Sequence, residues 1–244
     1  MGVICILNII NHKLIIMKNI LVYIFILVST ISYGQHFYAM DIEVERGREK
    51  DVKTIFDNYF EKYDTEGMSV LIFRNQIGDF NLLSSHTVVW IGSIDQLNNG
   101  FNGEYFKGSD STVFWKSLWE ISEFKQDYTG DIVSADGDST SDKNQDYQIV
   151  YGVTPKRRSQ FIKSWDKMMK KLNVKGSRHL IATPFLNSMY NSSVIGVNIG
   201  KDYKSTIDGL NKIWNSKEWS EFSEESGGWQ VNMSFSRKVI ARYD

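Results

Sequence analysis

The sequence predicts an α+β fold built from two tandem β-α-β-β-α-β units, and two observations carry that prediction. Apolar residues switch between strand spacing and helix spacing in the same order in both halves of the chain. Each half also holds a tryptophan-rich segment, Trp115-Lys-Ser-Leu-Trp119-Glu-Ile-Ser-Glu-Phe124 and Trp214-Asn-Ser-Lys-Glu-Trp219-Ser-Glu-Phe222. Each segment follows an apolar strand-like run and leads through glycine (Gly130, then Gly227-Gly228) into a last strand. A chain of 244 residues is long enough for one large domain or two ordinary ones.

The composition is globular, with 42% hydrophobic and 23% charged residues. Aromatics reach 14%, including seven Trp, enough for a dense core or a lined pocket. A net charge of −1 gives no global attraction to nucleic acid, so a nucleic-acid partner is not expected.

Residues 1–34 do not pattern as fold. A basic start at Met17-Lys-Asn precedes the apolar run Ile20 to Val28, and Ser32-Tyr-Gly34 places small residues before a cut at Gln35. That order is the signature of a secretory signal peptide, and it predicts a periplasmic or secreted protein. The run is too short to span a bilayer, so no stable membrane insertion is expected after cleavage. Residues 1–16 have two accounts: translation starting at Met17, or an uncleaved N-terminal anchor. The single Cys5 falls in this segment, so the mature chain would have no disulfide, thiolate metal site or Cys nucleophile.

The first unit is expected over 35–134. His36 to Val44 reads as a strand, and Val52, Ile55, Phe56, Tyr59, Phe60 and Tyr63 form one helical stripe that Gly67 stops. Met68 to Phe73 and Thr87 to Ile91 read as strands. Helical pattern follows at Ile94 to Leu97 and again at Ser111 to Ile121, with a short last strand at Asp131 to Ser134. Residues 135–146 read as a polar linker. Their alternating acids lack the glycine and closing glutamate of a calcium loop. The second unit, 147–244, repeats the order. Tyr147 to Val153 is a strand, and Pro155 suits a helix start before the stripe Phe161, Trp165, Met168, Met169 and Leu172. His179 to Thr183 and Val194 to Ile199 are strands, Tyr203 to Trp214 a helix, and Trp229 to Ile240 the last strand. This is a ferredoxin-like split unit, twice.

The segment Tyr203 to Phe222, with its Trp-x-Ser-x-x-Trp, resembles the second helix of the dimeric α/β-barrel superfamily, which includes the antibiotic-biosynthesis-monooxygenase-like proteins. Val153-Thr-Pro-Lys resembles that family's first strand-to-helix junction. The resemblance implies two ferredoxin-like units packed sheet to sheet as an α/β barrel around a cavity. Here both units lie in one chain, which implies a monomer with an internal pseudo-dimer. Members include cofactor-free oxygenases, haem-binding enzymes, isomerases and proteins without known activity, so the fold does not decide the chemistry. Related barrels place an axial His on a helix; neither long helix here carries one, and no cofactor is expected.

Candidate site residues follow from strand alternation. If Val89, Ile91, Ile195, Val197 and Ile199 lie under the helices, then His86, Trp90 and Asn198 face a cavity between the sheets. In the first strands Asp41, Glu43 and Gln148 take the inward positions. His86, Trp90, Gln148, Asn198 and His179 are the candidate ligand contacts, and His86 and Asp41 the candidate catalytic groups. Each also has a structural account: a histidine at a strand end, a core tryptophan, an acid on an edge. The three histidines beyond the leader are far apart in sequence, and no metal motif is present. The function expected is binding of a small, largely apolar molecule between two sheets. A cofactor-independent oxygenase or isomerase, and an interaction module with a filled core, are the alternatives.

Overall fold

A computed structural model describes residues 35–65, 67–78, 84–102, 108–137, 145–172, 174–187 and 189–244. The expected leader and most of the acidic stretch, 138–144, lie outside these residues. The first unit comprises β1 (Gln35–Val44), α1 (Glu49–Phe60), β2 (Ser69–Gly78), β3 (His86–Gly92), α2 (Ile94–Asn102), α3 (Ser109–Trp119) and β4 (Ser122–Gly137). The second comprises β5 (Tyr147–Pro155), α4 (Arg158–Leu172), β6 (Ser177–Leu186), β7 (Val194–Gly200), α5 (Tyr203–Trp214), α6 (Lys217–Glu225) and β8 (Trp229–Tyr243), with a 3₁₀ turn at Met189–Asn191.

The strands close into one antiparallel barrel in the order β1-β3-β2-β8-β5-β7-β6-β4. Each unit contributes its strands in the same internal order, fourth-first-third-second. The units are joined edge to edge by β2 with β8 and by β4 with β6. Closure leaves no free sheet edge among the described strands. The pairings also align the two copies. Gly92 stands opposite His36 as Gly200 stands opposite Tyr147. Counting back from those glycines makes Trp90 the counterpart of Asn198, Val88 of Gly196, and, on the second strands, Val70 of His179.

Strand β4 is far longer than the Asp131–Ser134 expected. It starts at Ser122, pairs with β1 and β6, and reaches Gly137, so the first part of the expected linker is strand. Its polar stretch from Ser122 to Asp127 hides it in the sequence. Gly130 is not a break before the strand but a point inside it. A Cβ there would sit 2.3 Å from the Thr183 carbonyl oxygen and 2.7 Å from Pro184 Cα, so only glycine lets β6 approach at this bulge.

Two cores result. The barrel interior is filled by Phe37, Phe73, Tyr128, Met189, Met233 and Phe235 together with Val89, Ile195, Val197 and Ile199. Outside the barrel, α1 and α3 bury Val52, Phe56 and Phe114 against Ile42, Ile72, Val88 and Trp90. In the second unit α4 and α6 bury Phe161, Trp165, Met168, Met169 and Phe222 against Val153, Ile181 and Val194. The alternation expected for the third strands is therefore reversed: Val89, Ile91, Ile195, Val197 and Ile199 point into the barrel, and Trp90 and Asn198 face the helices. Both faces of β3 are apolar, so the pattern Val-Val-Trp-Ile carries no sign of which face is which, and a one-residue error turns every side chain over.

Candidate functional site

The expected space between the sheets is nearly full. Inside the barrel a gap of about 60 Å³ remains, bordered by Phe37, Phe73, Tyr128, Gln148 and Arg237 among others. The larger cavity, about 270 Å³, lies outside the barrel, between the sheet of the second unit and its helices. That is close to the lower end of the ~300–1,000 Å³ range of ligand pockets. Its floor is Tyr151, Val153, Ile181, Val194, Gly196 and Asn198; its walls are Phe161, Trp165, Leu210, Ile213, Trp214, Trp219, Phe222, Trp229 and Val231. Trp214 and Val231 are exposed and form the rim.

Helix caps place the tryptophans. Asp202 begins α5 with a capping box: its carboxylate accepts the Ser205 N–H at 2.8 Å, and the Ser205 hydroxyl oxygen accepts the Asp202 N–H at 3.0 Å. The helix ends at Trp214. Ser216 then caps α6, its oxygen accepting the Trp219 N–H at 3.1 Å while its hydroxyl donates to the Ile213 carbonyl at 2.6 Å. One serine thus ties both helices, and Trp214 and Trp219 stand on different helices at one cavity. Inside, Trp219 and Trp229 meet edge to face at 5.9 Å, and Phe222 packs between Phe161, Trp165 and Trp229. The segment expected to match this one behaves differently: Trp115 and Trp119 share α3 and stack on each other at 5.6 Å.

The cavity exists because of two exchanges between the copies. In the first unit the Trp90 indole packs against Tyr38 and Phe101 and fills the corresponding space, backed by Val88. In the second unit those positions hold Asn198 and Gly196. A Cβ on Gly196 would meet nothing nearer than Ile181 at 3.9 Å and Tyr151 at 4.0 Å, so the glycine leaves volume open without a strained backbone.

Three polar groups interrupt the apolar lining. The Asn198 carboxamide oxygen accepts a hydrogen bond from His179 Nδ1, and His179 Nε2 lies 3.0 Å from the Ser177 hydroxyl. The Trp165 indole N–H is buried without a partner among the described residues. Tyr151 has its hydroxyl pushed up to about 12 by burial. His179 is fully buried behind Asn198, and its pKa is lowered to about 4 by burial, offset in part by its bond to Asn198, so it is neutral at pH 7.

The sequence-derived candidates fall into three separate environments. Asn198 borders the cavity and His179 stands behind it. Gln148 and Asp41 lie in the barrel interior. Gln148 accepts a bond from Arg237 Nε at 2.8 Å; Asp41 accepts from Thr87 Oγ1 at 2.6 Å and Gln126 Nε2 at 2.7 Å. Trp90 and His86 are on the helix side of the first unit. Trp90 is core there, and His86 sits with Nδ1 3.0 Å from the Ser85 hydroxyl. His86 and Asp41 therefore occupy opposite faces of one sheet and cannot act together on a substrate. Burial lowers the pKa of His86 to about 4, helped by the positive charge of Arg74. Tyr151, Trp165 and Trp229 were not among the candidate contacts. The comparison of Trp90 with Asn198 at matched positions is the signal that points to them.

The lining offers neither histidine nor cysteine as an axial ligand, and a space of about 270 Å³ is too small for a porphyrin, so the cavity does not fit a haem. Among the described residues no cluster of His, Cys, Asp or Glu could hold a metal ion.

No protein-family model matches the sequence, and none of the curated proteins does. Solved structures match in shape. One is a monooxygenase candidate from Fusobacterium nucleatum subsp. nucleatum, with TM-score 0.59 and 14% identity, covering 88% of this chain and 96% of that one. A second monooxygenase candidate, from Lactobacillus acidophilus, gives TM-score 0.55 and 10% identity over 86% and 96%. An anthrone oxidase-like protein gives 0.51 and 14% over 87% and 93%. At such identities the likeness is one of fold: the chain has the fold of a dimeric α/β barrel, with both ferredoxin-like units in one polypeptide.

Proposed function

We propose that the second unit binds a small, planar, largely apolar molecule in the cavity between its sheet and its helices. The observation that carries this reading is a cavity of about 270 Å³ walled by four tryptophans and two phenylalanines, at the positions where the first copy is filled by Trp90. An aromatic wall of this kind suits a flat ring system, and the few polar groups suit one or two oriented contacts. The barrel interior, expected to hold the ligand, is too full for that role.

The direct test is titration of the tryptophan fluorescence with a panel of bicyclic and tricyclic aromatics. Saturable quenching is expected in the wild type. Gly196→Leu, which puts a side chain into the cavity, should weaken it at least tenfold while the far-ultraviolet circular dichroism is unchanged. Equal quenching in both proteins would place binding elsewhere.

A second reading, a cofactor-independent oxygenase, draws support from the monooxygenase candidates and the anthrone oxidase-like protein of the same fold. Such a reaction needs a base to take a proton from the substrate. The lining has no carboxylate and no histidine, and a tyrosine with a pKa near 12 is a weak base supply at pH 7. Binding without turnover is therefore the favoured reading. An oxygen electrode with anthrone as the probe separates the two: steady uptake dependent on the protein would favour the oxygenase.

Export is proposed with this function, from the basic, apolar and small-residue order over 17–34. N-terminal mass spectrometry of the fractionated host should find the chain starting at Gln35. Full-length chain in the cytoplasm would end this proposal.

A further inference from the structure

One arrangement of protons along the Ser177–His179–Asn198 chain pairs the serine, both ring nitrogens and the asparagine oxygen. Ser177, His179 and Asn198 are all buried, with His179 and Asn198 directly opposite each other on β6 and β7 and Ser177 two residues before His179 on the same face. His179 is the sole side-chain partner of the Ser177 hydroxyl among the described residues. If Ser177 donates to His179 Nε2, then Nδ1 carries the ring proton and donates to the Asn198 oxygen, and only the Asn198 N–H₂ is left over, at the cavity. In the reverse arrangement the asparagine donates to Nδ1 and Nε2–H donates to the serine. The serine proton then has no acceptor, and the asparagine oxygen turns unpaired toward an apolar cavity. Leaving two buried polar groups unmade is the costlier state.

We propose that His179 is a positioning residue that holds the Asn198 carboxamide with its N–H₂ toward the aromatic cavity, so that the cavity presents a donor and selects ring systems bearing an acceptor oxygen. This rests on the reading of the cavity as a ligand site. The Asn198 nitrogen has no partner within the described chain and is not among the fully enclosed polar atoms. The orientation is built into the fold from behind. Gly209 of α5 allows the helix to approach so closely that a Cβ there would lie 2.8 Å from the Ser177 oxygen. The first copy has no such device, since Val70 and Trp90 occupy the positions of His179 and Asn198. The protein-side requirement is therefore a neutral carbonyl or a phenolate on the ligand, not a hydrogen-bond donor.

Two measurements test it. Long-range proton–nitrogen correlation spectra of the ligand-free protein should show His179 as the neutral Nδ1–H tautomer. An Nε2–H tautomer would overturn the positioning role whatever the cavity binds. Calorimetric titration with α-tetralone and with tetralin, alike in shape but differing by a carbonyl, should give the ketone roughly a tenfold tighter Kd. His179→Phe should reduce that preference to below about threefold, read as the ratio of the two Kd values in the folded variant. Asn198→Leu should do the same and stands in if the histidine variant does not fold. A ketone preference that survives undiminished in either folded variant sinks the proposal. If neither probe binds the wild type and other planar aromatics do not quench it, the ligand reading itself fails, and the donor selectivity with it.

Discussion

Trp90 shows how one residue decides between core and pocket. Its indole is 1% exposed and packs on Tyr38 at 5.5 Å and Phe101 at 5.8 Å, with no opening to solvent. Trp90→Ala should therefore destabilise the protein by about 3–5 kcal/mol in urea denaturation and leave aromatic binding by the second unit unaltered. A variant with wild-type stability but lost binding would move the site to the first unit. The buried histidines act on stability in another way. His86 and His179 have folded-state pKa values of about 4 against 6.5 unperturbed, because burial disfavours the charged ring. The unfolded chain then binds more protons between these values. Their contribution is complete above about pH 6.5 and is lost as the pH falls toward 4, on the order of 3 kcal/mol for each histidine. Denaturation midpoints measured across that window should fall steeply. Replacing either histidine with Phe should flatten the slope, and an unchanged slope would mean that the rings are hydrated.

At the scale of elements, the α5–α6 junction sets the mouth of the cavity. Ser216 is the hinge: its oxygen caps α6 and its hydroxyl bonds the end of α5. Ser216→Ala should cost about 1 kcal/mol of stability, the usual value of such a cap. It should weaken aromatic binding as well, because Trp214 and Trp219 lose their shared anchor; an undiminished affinity would show that packing alone holds them. In the sequence 203–222 resembles one helix and this junction goes unmarked, although Ser is a strong N-cap and Trp214 and Trp219 do not fit one helical stripe. The order of elements was legible, because the helices carry clear apolar stripes such as Val52, Phe56 and Tyr59. What could not be read was the facing of β3 and β7. A strand between a filled barrel and a layer of helices is apolar on both sides, so alternation is silent about direction. The expected placement of Trp90 and Asn198 between the sheets rested on that silence, and the structure turns both to the helix side. Strand β4 was obscured for the opposite reason, since Ser122, Glu123, Lys125 and Asp127 dilute its apolar pattern.

The whole molecule is held closed by contacts that cross from one copy to the other. Besides the β2–β8 and β4–β6 pairings, a polar cluster spans the barrel interior around Arg237 of β8. Its Nε donates to Gln148, its guanidinium lies 3.9 Å from the centre of the Phe73 ring, and Asp41 supplies the opposite charge. The sequence marks this residue in one respect: Arg237 shares an alternation with Met233, Phe235 and Val239, all of which line the barrel. Burial raises the pKa of Asp41; its bonds from Gln126 and Thr87 and the charge of Arg237 draw it back down. Arg237→Met keeps the apolar stem but leaves Gln148 without its donor and Asp41 without its cation. A loss of about 1–3 kcal/mol at pH 7 is expected, the scale for leaving buried polar partners unsatisfied. The pH dependence identifies the cause. A carboxylate whose folded pKa is raised contributes most below its unfolded value of 3.8 and loses that contribution as the pH rises through the folded value. Removing Arg237 raises the folded value further. The difference in stability between wild type and Arg237→Met should therefore shrink as the pH is lowered, because protonating Asp41 removes the unpaired charge, while the histidine effect cancels between the two proteins. A difference that stays constant down to pH 4 would show that Arg237 stabilises the barrel through packing on Phe73 and its bond to Gln148, not through Asp41.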